Sequence, residues 1–173
     1  MKRLLTLSFF LCTLFALQAQ TTHTSSIAFN GEGDKKLQIG TTLQKNARGI
    51  SASYDYGITH NLSVGVFSSY MLKTNTVLDA FNPNFKDLFN AEARLNANIG
   101  NVINIDKYFD VYPGIHLGLK NFGGHLGVRY FFSHTFGVYS EFSVPFATYD
   151  NSLDLLDKVN NQFTANIGAC FHF

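Results

Sequence analysis

The sequence has no tryptophan, three prolines and two cysteines among its 173 residues. One of those cysteines, Cys12, lies in an N-terminal stretch that reads as removable. That leaves Cys170 without an intramolecular partner, which excludes a disulfide-stapled secreted module. Beyond the same stretch no run reaches the ~18 apolar residues that a membrane helix needs. Charge of one sign is missing too. Removing Lys2 and Arg3 from the 13 basic residues leaves them one short of the 12 acidic ones, which excludes the electrostatic footprint of a nucleic-acid binder.

The removable stretch is "MKRLLTLSFFLCTLFALQAQ", with Lys2 and Arg3, an apolar run from Leu4 to Leu17, and Ala19. Charged, apolar and small-residue regions in that order make residues 1–19 a secretory signal peptide, cleaved before Gln20. Phe10 and Leu11 are too bulky for a lipoprotein signal around Cys12. Residues 20–173 then form one domain by length, with a short N-terminal segment ahead of its first alternating stretch. The unusual feature of that domain is its aromatic content, 18 Phe and 8 Tyr in the full chain.

What fills the mature sequence is alternation. "KLQIGTTL", "GISASYDYGI", "LSVGVFSSYML" and "FNAEARLNANIG" each place apolar residues at every second position. "YFDVYPGIHLGL", "HLGVRYFF", "FGVYSEFSV" and the closing "QFTANIGACFHF" do the same, which makes eight strands. In the fourth, Phe89, Ala91, Ala93, Leu95, Ala97 and Ile99 alternate with Asn90, Glu92, Arg94, Asn96 and Asn98. A helix would mix those two sets on one face, so the period is that of a strand. Pro113 cannot donate to a ladder, and a bulge or break is expected there.

Connector lengths point to an up-and-down barrel. Tight turns fall at "THN" (59–61) and "SHT" (133–135), long connections at 73–88 and 145–161, and the two kinds fall at opposite ends. Even strand number with short turns on one side and long loops on the other is the pattern of an outer-membrane barrel. Tyr56, Phe109, Tyr130, Phe132, Phe136, Phe171 and Phe173 fall near one rim, and Tyr70, Phe89, Phe142 and Phe163 near the other. Two aromatic belts around an aliphatic band match a lipid-facing wall. A soluble lipocalin-like barrel is the competing fold. It would turn the apolar set inward and put Glu92, Arg94, Arg129 and Glu141 in water, and it gives no reason for the aromatic rims or for a chain ending on Phe173.

These residues resemble the small outer-membrane β-barrel proteins of Bacteroidetes, which share the architecture of the OmpX/OmpA-type eight-stranded barrel. The carriers are the signal ending Ala19-Gln20, the opening "FNGEGDKKLQIG", the turns "YDYGITHNLSVGV" and "RYFFSHTFGVYSEF", and the terminal "ACFHF". The resemblance implies an all-β, eight-stranded antiparallel transmembrane barrel in the outer membrane of a Gram-negative-type envelope. It also implies that the alternation through Phe163, Ile167, Phe171 and Phe173 is the signal read by the barrel-assembly machinery. Both termini are then expected to be periplasmic. The implied partners are outer-membrane lipid and, during biogenesis, that machinery.

Inward side chains of so small a barrel fill it and leave no wide channel. The inward set includes Asp55, His116 and Tyr139 as well as Glu92, Arg94, Arg129 and Glu141, the last four read as a lumen ion-pair network. Folding the sixth and seventh strands about residue 134 sets Arg129 opposite Tyr139 and diagonal to Glu141, so Arg129–Glu141 is the expected pair. His116 and His125, on neighbouring strands, have no third ligand at a spacing that makes a metal site. "DNSLDLLDK" lacks the Gly and the closing Glu of a calcium loop. "NLS" at 61–63 lies in a tight turn, and its match to a glycosylation site is chance. Scattered Ser and His residues make no catalytic set, so the expectation is a non-enzyme without a cofactor. The long loops carry Phe81, Phe85, Tyr149, Leu153 and Leu156 where solvated loops are polar. These either pack on one another as a lid or form a surface for an extracellular ligand or partner.

Overall fold

The computed structural model describes residues 28–75, 78, 80, 82–103, 106–149, 156 and 158–173. The signal peptide expected at 1–19, Phe81 and Leu153 lie outside them. Eight antiparallel strands close into a barrel in sequence order: β1 (Lys35–Gln44), β2 (Ala47–Gly57), β3 (Leu62–Thr74), β4 (Phe89–Ala97), β5 (Phe109–Gly118), β6 (Asn121–Phe131), β7 (Phe136–Thr148) and β8 (Thr164–His172). Closure is made by β8 against β1, running from Lys36 opposite His172 to Gln44 opposite Thr164. Two single helical turns, α1 (Phe85–Leu88) and α2 (Gly100–Ile103), precede β4 and follow it. Among the described residues no helix is long and apolar enough to cross a membrane. The wall crosses with strands.

The alternation read from the sequence is realised inside out. On β2, Ser51, Ser53 and Asp55 are buried while Ile50, Tyr54 and Tyr56 are 53%, 40% and 40% exposed. On β8, Asn166 is 1% exposed and Ile167 57%. A barrel that hides its amides and carboxylates and bares its isoleucines is built for an apolar solvent, because only there is burial of the aliphatic set unnecessary. The lipocalin arrangement, with the apolar set inside, is therefore excluded by the burial pattern.

One strand boundary needs correction, and the reading at Pro113 is met on one side of its strand. Phe163 lies just before β8 rather than within it, although its exposed ring still stacks on Phe142 at 5.8 Å. At Pro113 there is no bulge: it pairs with Leu126 in an unbroken β5–β6 register. Of the bulge or break expected there, the break occurs, on the strand's other side: the β4–β5 ladder stops at Asn96 opposite Gly114. A proline can face a neighbour with its carbonyl only, so one side of the strand must lose its partner. The register shifts lie elsewhere, between Arg48 and Gly49 on β2 and between Phe122 and Gly123 on β6.

The aromatic belts are present as ring contacts. At one end Phe136 meets Phe132 at 6.2 Å and Phe171 at 5.7 Å, and Tyr130 meets Phe132 at 5.5 Å. At the other, Phe85 lies between Tyr70 and Phe89 at 5.4 and 5.2 Å. The connections β2–β3, β4–β5 and β6–β7 share the first end with the C-terminus, and the long β3–β4 and β7–β8 connections share the second.

Candidate functional site: a filled polar lumen

Strand parity delivers the polar side chains to the interior, and the interior resolves into tiers. Near the terminal end, Asp34 accepts both contacts of the Lys36 ammonium, at 2.6 and 2.7 Å. Lys36 lies under the Phe131 ring, 5.2 Å from its centroid, and all three side chains are buried. Ala28 packs with Phe131, Tyr139 and Cys170, and Phe29 is 2% exposed. Asn101 on α2 donates to the Phe29 carbonyl at 3.1 Å. The segment before β1 therefore enters the barrel mouth and stops it.

The middle tier holds the charged network, with a pairing different from the one expected. Arg129 donates from Nε and Nη2 to Asp110 Oδ2 at 3.0 and 2.9 Å, and from Nη2 to Asn98 Oδ1. Asp110 stands directly opposite it on β5. Glu141 instead accepts from Arg94 Nη2, across the lumen from β4 to β7. Asp55 lies between the two guanidinium groups, 3.7 Å from Arg94 Nε and 3.6 Å from Arg129 Nη1. The expected Arg129–Glu141 pair is thus exchanged for Arg129–Asp110 and Arg94–Glu141. Arg129 has a second neighbouring strand besides β7, and in a small barrel opposite walls are within side-chain reach. All four residues of the network are in the lumen, with Glu92 at its edge, accepting from Asn90 Nδ2 at 2.7 Å.

Tyr112 is the packing centre of this tier. Its ring is 4.4 Å from the Arg129 guanidinium and 6.0 Å from that of Arg94, and its hydroxyl accepts from Gln38 Nε2 at 3.2 Å. Cations stacked on a desolvated aromatic face are held in place. The ring is accommodated because residue 127, opposite it, is glycine; a Cβ there would overlap Tyr112. Neither Tyr112 nor Asp110 stands among the inward residues read from the sequence. Their signal was parity with Gly114 and His116 on the same strand.

Above this tier, His125 contacts Asn96, His116 contacts Asn121, and Thr42 Oγ1 donates to Asn166 Oδ1 at 2.5 Å. The second end is closed by Ala47, Met71, Leu78 and Val159, with Leu88 and Leu156 packed against them. Of the residues expected to form a loop surface, Leu156 belongs to this lid. Phe85 joins the aromatic rim, and Tyr149 is 54% exposed. Between lid and network the lumen keeps a cavity of ≈ 20 Å³ lined by Gln44, Phe67, Asn90, Glu92, Thr164 and Asn166 among others. That is room for about one water molecule. A larger depression, ≈ 580 Å³, involves the outer wall, where Ala52, Ala91 and Ala93 leave a hollow between Tyr54, Phe89 and Leu117. Among the described residues no group of three His, Cys, Asp or Glu side chains is arranged to hold a metal ion.

Of the terminal residues, Ile167 and Phe173 are exposed on the outer wall, Phe171 packs on Phe136, and the Phe173 amide donates to the Lys35 carbonyl at 3.1 Å. The chain end is thus pinned into the seam that closes the barrel.

A family model described as a family of unknown function (DUF6646) matches residues 19–173. No curated protein matches the sequence. Among solved structures, a de novo designed transmembrane β-barrel superposes with a TM-score of 0.56 at 11% identity, over 82% of this chain and 97% of that one. The outer-membrane protein Ail of Yersinia pestis gives 0.46 at 16% identity, over 82% of this chain and all of its own. At such identities the likeness concerns fold alone. That fold is a transmembrane β-barrel.

Proposed function

The chain belongs to the family of unknown function DUF6646, and we propose for it the role of an integral outer-membrane barrel whose filled lumen serves structure rather than passage. The observation that carries this is the interior itself: both ends are stopped by apolar clusters, and the lumen cavity between lid and ion pairs is ≈ 20 Å³. A protein that passes solutes needs a continuous wet path, and one that modifies lipid needs a nucleophile and base at the wall. The charged side chains here are paired chiefly with one another, Arg129 with Asp110, Arg94 with Glu141 and Lys36 with Asp34.

In this reading residues 1–19 direct export and are removed, the terminal strand is recognised by the barrel-assembly machinery, and both termini are periplasmic. The setting is a Gram-negative-type envelope, as in the Bacteroidetes barrels that the sequence resembles. The long β3–β4 and β7–β8 connections then face outward and serve envelope integrity or contact with an extracellular ligand or partner, with Phe85 and Tyr149 as exposed aromatics among the described residues. A deletion strain complemented with a variant shortened in the β7–β8 connection tests this. Correct membrane insertion with loss of detergent resistance or surface binding supports the role; full complementation by the shortened barrel contradicts it. The alternative is a narrow or gated barrel binding or passing a small solute, hydrophobic ones included. It requires the lid of Met71, Leu78 and Val159 to leave the lumen.

A further inference from the structure

His116 on β5 and His125 on β6 face each other inside the lumen, with Nδ1 atoms 3.4 Å apart. Hydrogen-bond accounting fixes the tautomer of each ring, because their outer nitrogens both meet amide oxygens. His125 Nε2 lies 2.7 Å from Asn96 Oδ1. That amide cannot be turned over, since its oxygen also accepts from Arg94 Nε at 3.3 Å, and Arg94 can only donate. His116 Nε2 lies 3.3 Å from Asn121 Oδ1. Asn121 is fixed as well, because its Nδ2 donates to the Asn160 carbonyl and to Asn161 Oδ1, both at 2.8 Å. Both imidazoles therefore carry hydrogen on Nε2. In two neutral rings the facing Nδ1 atoms would then be two lone pairs with nothing between them.

The rings are set head to head. Their centroids are 5.7 Å apart and their planes differ by 22°. The centroid spacing exceeds the Nδ1 spacing by about what two ring radii in line would take up. Zinc needs about 2.0–2.1 Å to each nitrogen, more than this in-line gap provides, whereas a single hydrogen fits it. Charge asks for the same thing. Of the five lumen carboxylates, Asp34, Asp55, Asp110 and Glu141 each lie by Lys36, Arg94 or Arg129. Glu92 has no such partner among the described residues; its nearest basic group is His116 Nδ1, at 3.9 Å. The place is also built to hold two rings, because a Cβ at Gly114 would strike His125 and one at Gly123 would strike His116.

We infer that the His116–His125 dyad is a proton-binding site, holding one proton between its Nδ1 atoms, and that this proton latches the lid connection to the barrel wall. The step is a plain protonation: one proton enters from solvent, an N–H forms on one Nδ1, and the other Nδ1 accepts from it. The positive charge so created faces Glu92 and is opposed by Arg94, both on β4, while Glu141 on β7 neutralises Arg94 and the Tyr112 ring of β5 stands 6.5 Å from His125. The latch runs from His116 Nε2 through Asn121 to Asn160 and Asn161, in the connection that contributes Val159 to the lid. With the proton present both rings are held in line and Asn121 is kept in place. Without it the facing lone pairs drive the rings apart and Asn121 with them.

The test is nitrogen NMR of the mature barrel in nanodiscs, labelled on histidine, between about pH 5 and 8, where unperturbed histidines titrate. The expected spectrum at neutral pH has both Nε2 atoms protonated and one proton on the paired Nδ1 atoms. The protection factors of amides in residues 158–163, which divide out the intrinsic base-catalysed rise of exchange with pH, are expected to fall several-fold as that proton leaves at higher pH. Asn161→Ala, which removes one acceptor of Asn121 and leaves both amide oxygens that fix the rings, should keep the imidazolium signal and weaken the pH dependence of that protection. Glu92→Gln should shift loss of the proton to lower pH. Two neutral rings throughout, or one ring protonated on Nδ1 alone, would overturn the proton site. An imidazolium whose loss leaves the protection factors at 158–163 unchanged would overturn the latch.

Discussion

Removing the Arg94 guanidinium should be among the most damaging single changes in the wall. Its side chain is 2% exposed, and it is the sole Lys or Arg that Glu141 touches among the described residues. Arg94→Met keeps much of the volume but leaves Glu141 uncompensated and Asp55 with Arg129 alone, at 3.6 Å. Breaking one side of a buried pair costs ~3–5 kcal/mol, and two affected carboxylates place this variant at the upper end. Glu141→Gln should cost less, ~1.5–3 kcal/mol, the usual worth of a hydrogen bond to a charged group, because Asp55 remains 3.7 Å from Arg94. The double variant Arg94→Met with Glu141→Leu should cost clearly less than the two single truncations together, since neither charge is then stranded. The assay is reversible urea unfolding from lipid vesicles, with the slope compared among variants to confirm a common unfolded state. The same cycle on Arg129 and Glu141 should show little direct coupling, because Arg129 is held by Asp110 and Asn98. Additive effects at Arg94 and Glu141, or a loss of only ~0–1 kcal/mol as for a surface pair, would refute the buried network.

Other changes probe other parts. Val66→Arg, on the outer wall where Val66 is 60% exposed, should lose ~2–4 kcal/mol in a bilayer, as lipid-facing charge near the midplane does, and unfolding from vesicles measures it. Gly127→Ala forces Tyr112 off the two arginines and should cost ~1–3 kcal/mol as an overpacked core does, read by the same unfolding assay. Phe173→Ser should lower the amount of barrel in the membrane more than it lowers the stability of refolded barrel, and fractionation beside vesicle unfolding separates the two. Equal membrane levels would count against the terminal residue as part of an assembly signal.

Much of the architecture was legible because a strand's period of two survives every tertiary context in which one face meets lipid. The segments holding Ile50, Tyr54 and Tyr56, or Ala93 and Leu95, needed no partner to reveal which way they face. The lumen was harder to read. Arg94 and Glu141 were recognisable as inward, yet their pairing depends on barrel diameter and stagger, which no local pattern encodes. Asp110 has the parity of an inward residue, but the aromatic and valine residues beside it dominate the local pattern. The plug by Ala28 and Phe29 had no periodic signal at all, since a segment that turns back into a mouth is neither strand nor helix. Pro113 shows the limit of a residue rule. It ended one ladder, as its chemistry requires, but left the other in register.

The central claim is that this barrel is full, and planar-bilayer conductance tests it most directly. Purified mature protein, shown to be inserted by protease protection, should give no steady current beyond rare brief openings in symmetric salt. The apolar stops around Phe131 and Met71 and the interlocked charges between them leave ions no wet path. A large, steady conductance in the wild-type protein would contradict the account and put a solute pathway in place of the structural role.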